Sequence, residues 1–116
     1  MKASRLQGFA RQFRLTRPDE FRRVFNDARR YSVKGLLVLG RNNGLGYPRL
    51  GFAISKRSIK FASKRNRIKR LARESFRHHK CSLSGIDLVV LGRGSLVTKT
   101  NHQITEAFNQ LWQKLA

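Results

Sequence analysis

The sequence predicts an α+β fold with the element order αββαβα, in which a small mixed sheet packs against helices. Three observations lead to this prediction. In three segments, apolar residues recur every three or four positions, as they do on the buried side of a helix. Three short segments between them are rich in Val, Leu and Ile and are bounded by turn residues. The length of 116 residues suits one domain.

The first helix is predicted to begin near Thr16. The sequence Thr16-Arg17-Pro18-Asp19 is typical of a helix start, with an N-cap threonine, an early proline and an acid in the first turn. An apolar stripe of about three turns then follows at helical spacing, formed by Phe21, Val24, Phe25 and Ala28. Residues 1–15 are basic and show no period, so we expect a flexible basic arm followed by a single domain at 16–116.

Two strands are predicted next. The segment from Val33 to Gly40 is β-branched and Leu-rich, and Asn42-Asn43-Gly44 supplies turn residues after it. The second strand alternates bulky Leu50, Phe52 and Ile54 with small Gly51, Ala53 and Ser55. The small face indicates close approach of another element, and a helix packed on the sheet explains it as well as a binding surface does.

A long helix, a strand and a last helix complete the order. The long helix carries one apolar face, formed by Ile68, Leu71, Ala72, Ser75 and Phe76. The run from Ile86 to Leu91 is nearly all apolar and predicts a buried strand. Thr100 and Gln103 have the spacing of a capping box, and an apolar stripe follows them at Ile104, Ala107, Phe108, Leu111 and Leu115.

Net charge indicates the partner. The chain has 26 Lys and Arg against 6 Asp and Glu, with a net charge of +20 and an isoelectric point near 11.9. Such a chain repels itself, and binding to a polyanion relieves that repulsion through counterion release. We therefore expect a nucleic acid as the partner. The longest apolar run, Leu36 to Leu39, is too short to span a membrane, and lone Cys81 and the absence of an apolar leader suggest the cytoplasm.

The charge is densest in the long helix and the loop before it. The segment from Lys56 to Lys80 holds 11 of the 26 cations and one acid, Glu74. On a helical wheel, the polar residues fall on the side opposite the apolar face, at Asn66, Lys69, Arg70, Arg73 and Arg77. An ordinary solvated helix mixes both signs of charge, so this one-sign face favours nucleic-acid binding.

This helix also resembles a known family. The run Arg65-Asn66-Arg67-Ile68-Lys69-Arg70-Leu71, continuing to Arg77, is similar to the RNR signature of the bacterial ribonuclease P protein family. The resemblance implies an α/β sandwich with a left-handed βαβ crossover, an exception to the usual hand. It also implies a protein subunit that binds ribonuclease P RNA and the single-stranded 5′ leader of precursor tRNA, without an obligatory protein partner. The RNA subunit would cleave the substrate with its magnesium, and the protein would hold no tight cofactor.

The resemblance also implies roles for individual residues. The motif residues that match contacts to the RNA subunit are Arg65, Asn66, Arg67, Lys69, Arg70 and Arg73. The residues that match a cleft for the leader are Phe21, Phe25, Lys56 and Arg57, and we expect that cleft between the long helix and the sheet. From pattern alone, Phe21 and Phe25 fit a core stripe better than a cleft, because Phe at i and i+4 on an apolar stripe is more often core. At the cleft floor, where relatives carry an aromatic residue, this sequence has Leu37 and Leu39.

The acids do not suggest a protein catalyst or a metal site. Phosphodiester hydrolysis by a protein usually needs clustered carboxylates or an acid–base pair, and the six acids are scattered. His78, His79 and Cys81 lack a second ligand pair at metal spacing. The alternatives left open are a ribosomal or general RNA-chaperone protein, then a protein-only nuclease and a membrane-active cationic peptide.

Overall fold

The structure, a computed structural model, describes residues 11–115. Its helices and strands are α1 (Pro18–Asn26), β1 (Arg29–Val33), β2 (Leu36–Asn42), β3 (Arg49–Phe52), α2 (Ala62–His79), β4 (Ile86–Gly92) and α3 (Asn101–Leu115). The predicted α+β class is confirmed, and the three helices and the late strand are present. The first helix is shorter than predicted, since its N-cap is Arg17 and not Thr16 and it ends before Ala28. The element order is αβββαβα, with one strand more than predicted.

The additional strand comes from a hairpin in a segment where the sequence predicts a single strand. The predicted strand from Val33 to Gly40 reverses at Lys34-Gly35, and Val33 pairs with Leu36 across the turn. Lys34 and Gly35 have φ angles of 47° and 89°, the left-handed pair that a two-residue hairpin turn requires. Asn-Gly and Asp-Gly are the usual pairs in such a turn, so Lys34-Gly35 does not indicate a turn by its sequence.

The four strands form one mixed sheet in the order β1-β2-β4-β3. β2 runs antiparallel to β1 and β4, whereas β3 runs parallel to β4. A parallel neighbour needs a crossover, and α2 forms it between β3 and β4. The left hand of this crossover, which the family resemblance implies, stays a prediction.

Each face of the sheet packs against different helices, because side chains alternate along a strand. One face carries Val38, Leu50 and Val90 and forms the main core with α2 and α3. The other carries Leu39 and Val89 and packs against α1. No helix in the described part of the chain is long and apolar enough to cross a membrane.

The two long helices are joined by buried polar contacts. The indole of Trp112 donates to the Ser75 hydroxyl at 2.8 Å, and that hydroxyl donates to Asn109 at 2.7 Å. At the start of α3, the Thr100 hydroxyl accepts the Gln103 backbone N–H, and the Gln103 side chain accepts that of Thr100. The predicted capping box is therefore confirmed.

The boundary of the basic arm at residue 15 is wrong for residues 11–15. Phe13 and Leu15 are buried, and the Leu15 N–H donates to the Leu50 carbonyl at the edge of β3. The ammonium of buried Lys80 lies 4.4 Å from the Phe13 ring centroid, and burial lowers the pKa of Lys80. Burial of Phe13 and Leu15, together with these contacts, attaches residues 11–15 to the sheet. The rest of the arm, residues 1–10, lies outside the described residues.

A cluster of charges attaches α1 to the sheet. The guanidinium of Arg49 in β3 donates two hydrogen bonds of 2.8 Å to Asp87 in β4 and a third to Glu20 in α1. Glu20 also accepts the backbone N–H of Arg17, the N-cap residue of α1. The three side chains are only 10–15% exposed, and both carboxylates raise the pKa of Arg49. This cluster fixes the position of α1 over the sheet.

The Arg49 cluster leads to a stability prediction. Replacing Arg49 by Ala leaves two largely buried carboxylates without their partner, so the free energy of unfolding is expected to fall by about 3 kcal/mol. Replacing Arg41 by Ala removes only the exposed contact with Asp27 at 3.8 Å and is expected to cost less than about 1 kcal/mol. Urea unfolding of both variants measures the difference. Equal losses would contradict the role given to Arg49.

Candidate nucleic-acid interface

One side of α2 presents a continuous row of polar and cationic side chains. Ile68, Ala72, Ser75 and Phe76 are buried on the opposite side. We call the outward row the α2 stripe, and it consists of Asn66, Lys69, Arg70 and Arg73. Lys69 is half-buried and the other three are exposed. Their spacing of three or four residues follows from the apolar face, since burying one side of the helix turns these residues outward.

Arg65 and Arg67 differ from the stripe, because their guanidiniums hold the fold together. Arg65 donates from Nη1 to the carbonyls of Ile59 and Lys60, at 2.8 and 3.0 Å. Arg67 donates to the Asn101 side chain at 2.6 Å and to the Lys99 carbonyl at 2.5 Å. The first fixes the loop before α2 and the second fixes the start of α3. A guanidinium has five N–H donors, so both retain donors for a phosphate.

Most cations of the motif form no salt bridge with an acidic side chain in the described residues. Within residues 11–115, no salt bridge involves Arg65, Arg67, Lys69 or Arg70. The one acid of α2, Glu74, instead pairs with Arg77 at 2.5 Å. Arg77 lowers the pKa of that carboxyl. The cationic surface of α2 therefore ends at this pair, next to His78. Arg77, which the sequence predicts on the same side of the helix as Arg70 and Arg73, is partly neutralised by Glu74.

At the edge of the sheet, the α2 stripe meets an aromatic ring and a further arginine. The Arg73 guanidinium lies 5.2 Å from the ring centroid of Phe52 in β3. Burial lowers the pKa of Arg73, and the charge of nearby Arg14 lowers it further. Like charges held together attract an anion, so this end of the stripe is a favourable position for a phosphate. The alternation along β3 predicts only that Phe52 is a bulky strand residue and does not indicate this contact.

A separate groove lies on the face of the sheet that packs against α1. It has a volume of about 250 Å³ and is lined by Phe25, Ala28, Arg30, Leu37, Leu39 and Leu91. Phe25 is 49% exposed. The position of the leader cleft stays a prediction, and this groove differs from the expected cleft between α2 and the sheet. The first helix, not the long one, forms its wall, because Leu37 and Leu39 point away from the main core.

The four residues predicted for the leader cleft do not all line this groove. Phe25 forms its wall, whereas Phe21 is half-buried and packs on Gly51. A Cβ at Gly51 would lie 2.7 Å from Cζ of Phe21, so the small strand face serves the packing of α1 here. Lys56 and Arg57 are exposed in the loop after β3 and do not line the groove. Their contact with a leader stays a prediction.

Most carboxylates in the described residues form salt bridges with arginine. In residues 11–115, five of the six acids form salt bridges with arginine, and the five are Asp19, Glu20, Asp27, Glu74 and Asp87. The same residues contain no group of three or more His, Cys, Asp or Glu side chains placed to hold a metal ion. The candidate site presents guanidiniums, ammoniums and aromatic rings, a combination that favours an anion.

Known proteins are similar to this chain in sequence and in architecture. The family model described as Ribonuclease P matches residues 9–116. The "Ribonuclease P protein component" of Proteus mirabilis is 46% identical over 106 residues, which cover 91% of this chain and 89% of that protein. The protein of the same name from Pseudomonas putida is 44% identical over 111 residues, covering 95% and 83%. The solved RNase P protein of Staphylococcus aureus superposes with a TM-score of 0.80 at 27% identity, covering 88% and 94%. This chain belongs to the ribonuclease P protein family.

Proposed function

We propose that this chain is the protein subunit of ribonuclease P and that it binds two RNAs. The α2 stripe, with the remaining donors of Arg65 and Arg67, contacts ribonuclease P RNA. The groove beside Phe25 holds the single-stranded 5′ leader of precursor tRNA, with Lys56 and Arg57 as further leader contacts. The protein thereby aids endonucleolytic 5′ maturation of tRNA, and it works in the cytoplasm without an obligatory protein partner.

The observation that carries this proposal is the separation of the two surfaces. The α2 stripe belongs to the helix that covers one face of the sheet, and the groove lies on the other face. One protein can therefore contact two RNAs at once without competition between them. The stripe offers forked donors for the phosphates of a folded RNA. The groove offers an exposed ring and apolar leucines, on which the bases of an unpaired strand can stack.

The proposed division of labour leaves bond cleavage to the RNA. Five carboxylates are engaged by arginines, so the chain uses its few acids for its own fold. Magnesium bound by the RNA subunit would supply the hydrolytic chemistry. The protein residues bind, orient and reduce repulsion between two polyanions. A protein of net charge +20 lowers the cost of bringing them together.

Reconstitution tests the proposal directly. Adding the chain to a bacterial ribonuclease P RNA at low magnesium is expected to restore cleavage of precursor tRNA, because the protein replaces cations at the RNA contact. The chain without RNA should not cleave. A basic ribosomal or RNA-chaperone protein of similar charge serves as the control. Equal stimulation by that control would favour the rival function, and cleavage by the chain alone would favour a protein nuclease.

The α2 stripe leads to a salt-dependence prediction. Replacing Arg70 by Ala is expected to reduce the slope of log K against log salt, for binding to ribonuclease P RNA, by about 0.7–0.9 per lost phosphate contact. Replacing Lys114, an exposed cation at the end of α3, by Ala changes the net charge equally and should leave the slope nearly unchanged. The measurement is a binding titration at several salt concentrations. Identical slopes for both variants would exclude the stripe as the contact.

The groove leads to a substrate prediction. Replacing Phe25 by Ala is expected to weaken precursor tRNA binding to the assembled enzyme by about tenfold, since one stacked base contributes roughly 1–3 kcal/mol. Mature tRNA, which has no leader, should bind as before. Phe25→Tyr retains the ring and is the matched control. If precursor and mature tRNA lost affinity equally, the groove would not be the leader site.

A further inference from the structure

Phe61 is the most exposed of the large hydrophobic side chains in the described part of the chain. It is 63% exposed, compared with 49% for Phe25 and 44% for Leu45. It is also the N-cap residue of α2, where its carbonyl accepts the backbone N–H groups of Lys64 and Arg65. Ser, Thr, Asp and Asn are strongly preferred at this position because their side chains can cap the helix. Phe61 makes no such bond and is not buried, so neither capping nor packing accounts for it.

The Phe61 ring borders a recess beside the start of α2. The recess has a volume of about 330 Å³ and is lined by Ser58, Ile59, Lys60, Phe61, Lys64, Gly94 and Val97. Buried Ile59 and half-buried Val97 supply apolar surface, and Gly94 adds no side chain. The bonds from Arg65 to the Ile59 and Lys60 carbonyls hold the loop in place. The recess is therefore preformed, and its size is at the lower end for small-ligand sites.

The rim of the recess is cationic. Lys60 and Lys64 are both exposed, and Lys60 Nζ lies 5.8 Å from the centroid of the Phe61 ring. The lining contains no acid, and within residues 11–115 neither lysine forms a salt bridge. A flat group that stacks on a ring and carries negative charge on its linker complements this arrangement. An unpaired nucleotide has that chemistry, with a base for the ring and phosphates for the two ammoniums.

We propose that Phe61 and its recess bind one unpaired base of ribonuclease P RNA, with the adjoining phosphates at Lys60 and Lys64. The inference rests on the proposed function, since it assumes that this RNA docks on α2. Phe61 directly precedes the first turn of that helix, so its ring lies at the N-terminal end of the helix that carries the α2 stripe. The Phe25 groove lies on the opposite face of the sheet, which favours the RNA subunit over the leader as the occupant.

The test compares the full-length chain with Phe61→Ala and Phe61→Tyr in equilibrium binding to ribonuclease P RNA at three salt concentrations. Phe61→Ala is expected to weaken binding about tenfold with an unchanged salt slope, because it removes a stacked base and no phosphate contact. Phe61→Tyr should stay within about twofold. Replacing Lys60 and Lys64 by Ala should instead lower the slope. Thermal unfolding checks that the variants fold, as expected for a side chain this exposed.

A photo-crosslinking amino acid at position 61 identifies the occupant. Crosslinks to an unpaired nucleotide of ribonuclease P RNA support the proposal, and crosslinks to the tRNA leader or to a protein overturn it. Wild-type affinity of Phe61→Ala, or equal losses with Ala and Tyr, also overturn it. If Arg70→Ala still lowers the salt slope in that case, only the base site is lost. If Arg70→Ala has no effect either, the proposed docking on α2 fails as well.

Discussion

Repulsion among 26 cations is the constraint on which the rest of this structure depends. Only six acids are available to offset it, and five of them lie in salt bridges with arginine in the described part of the chain. The best-buried pair of carboxylates, Glu20 and Asp87, converges on Arg49 and attaches α1 to the sheet. Because Glu20 and Asp87 bind Arg49, they do not neutralise the α2 stripe. The placement of the acids therefore stabilises the fold and also leaves a cationic surface on α2 that suits a polyanion.

The arginines of the motif show that one residue type can serve both purposes. Arg65 and Arg67 donate to neighbouring backbone carbonyls and to Asn101, which ties the loop before α2 and the start of α3 to the helix. Arg70 lies one turn further on and is exposed. Since carbonyls accept hydrogen bonds without cancelling charge, the first two arginines remain cationic while they stabilise the fold. The arginines of the motif therefore stabilise the fold and also contribute positive charge to the surface of α2.

The alternation of side chains along the strands separates the proposed sites. On β2, Val38 enters the main core, whereas Leu37 and Leu39 line the groove beside Phe25. Side chains on the two faces of the sheet therefore belong to two separate hydrophobic clusters. The two proposed sites therefore share no residues. The recess at Phe61 lies beside the start of α2 and shares no lining residue with the groove.

The sequence by itself determined the α+β class, the three helices, the strand before α3 and the cationic side of α2. Those features follow from local spacing, because apolar periodicity and the near absence of acids are visible within one segment. Only the tertiary structure decided the positions that depend on distant partners. It separated exposed Phe25 from Phe21, which packs on Gly51, and it ordered Phe13 and Leu15 against the sheet. It also showed that Arg65 and Arg67 hold neighbouring segments, and that Lys34-Gly35 is a turn. Burial and hydrogen bonding depend on which segments meet, and no local pattern contains that information.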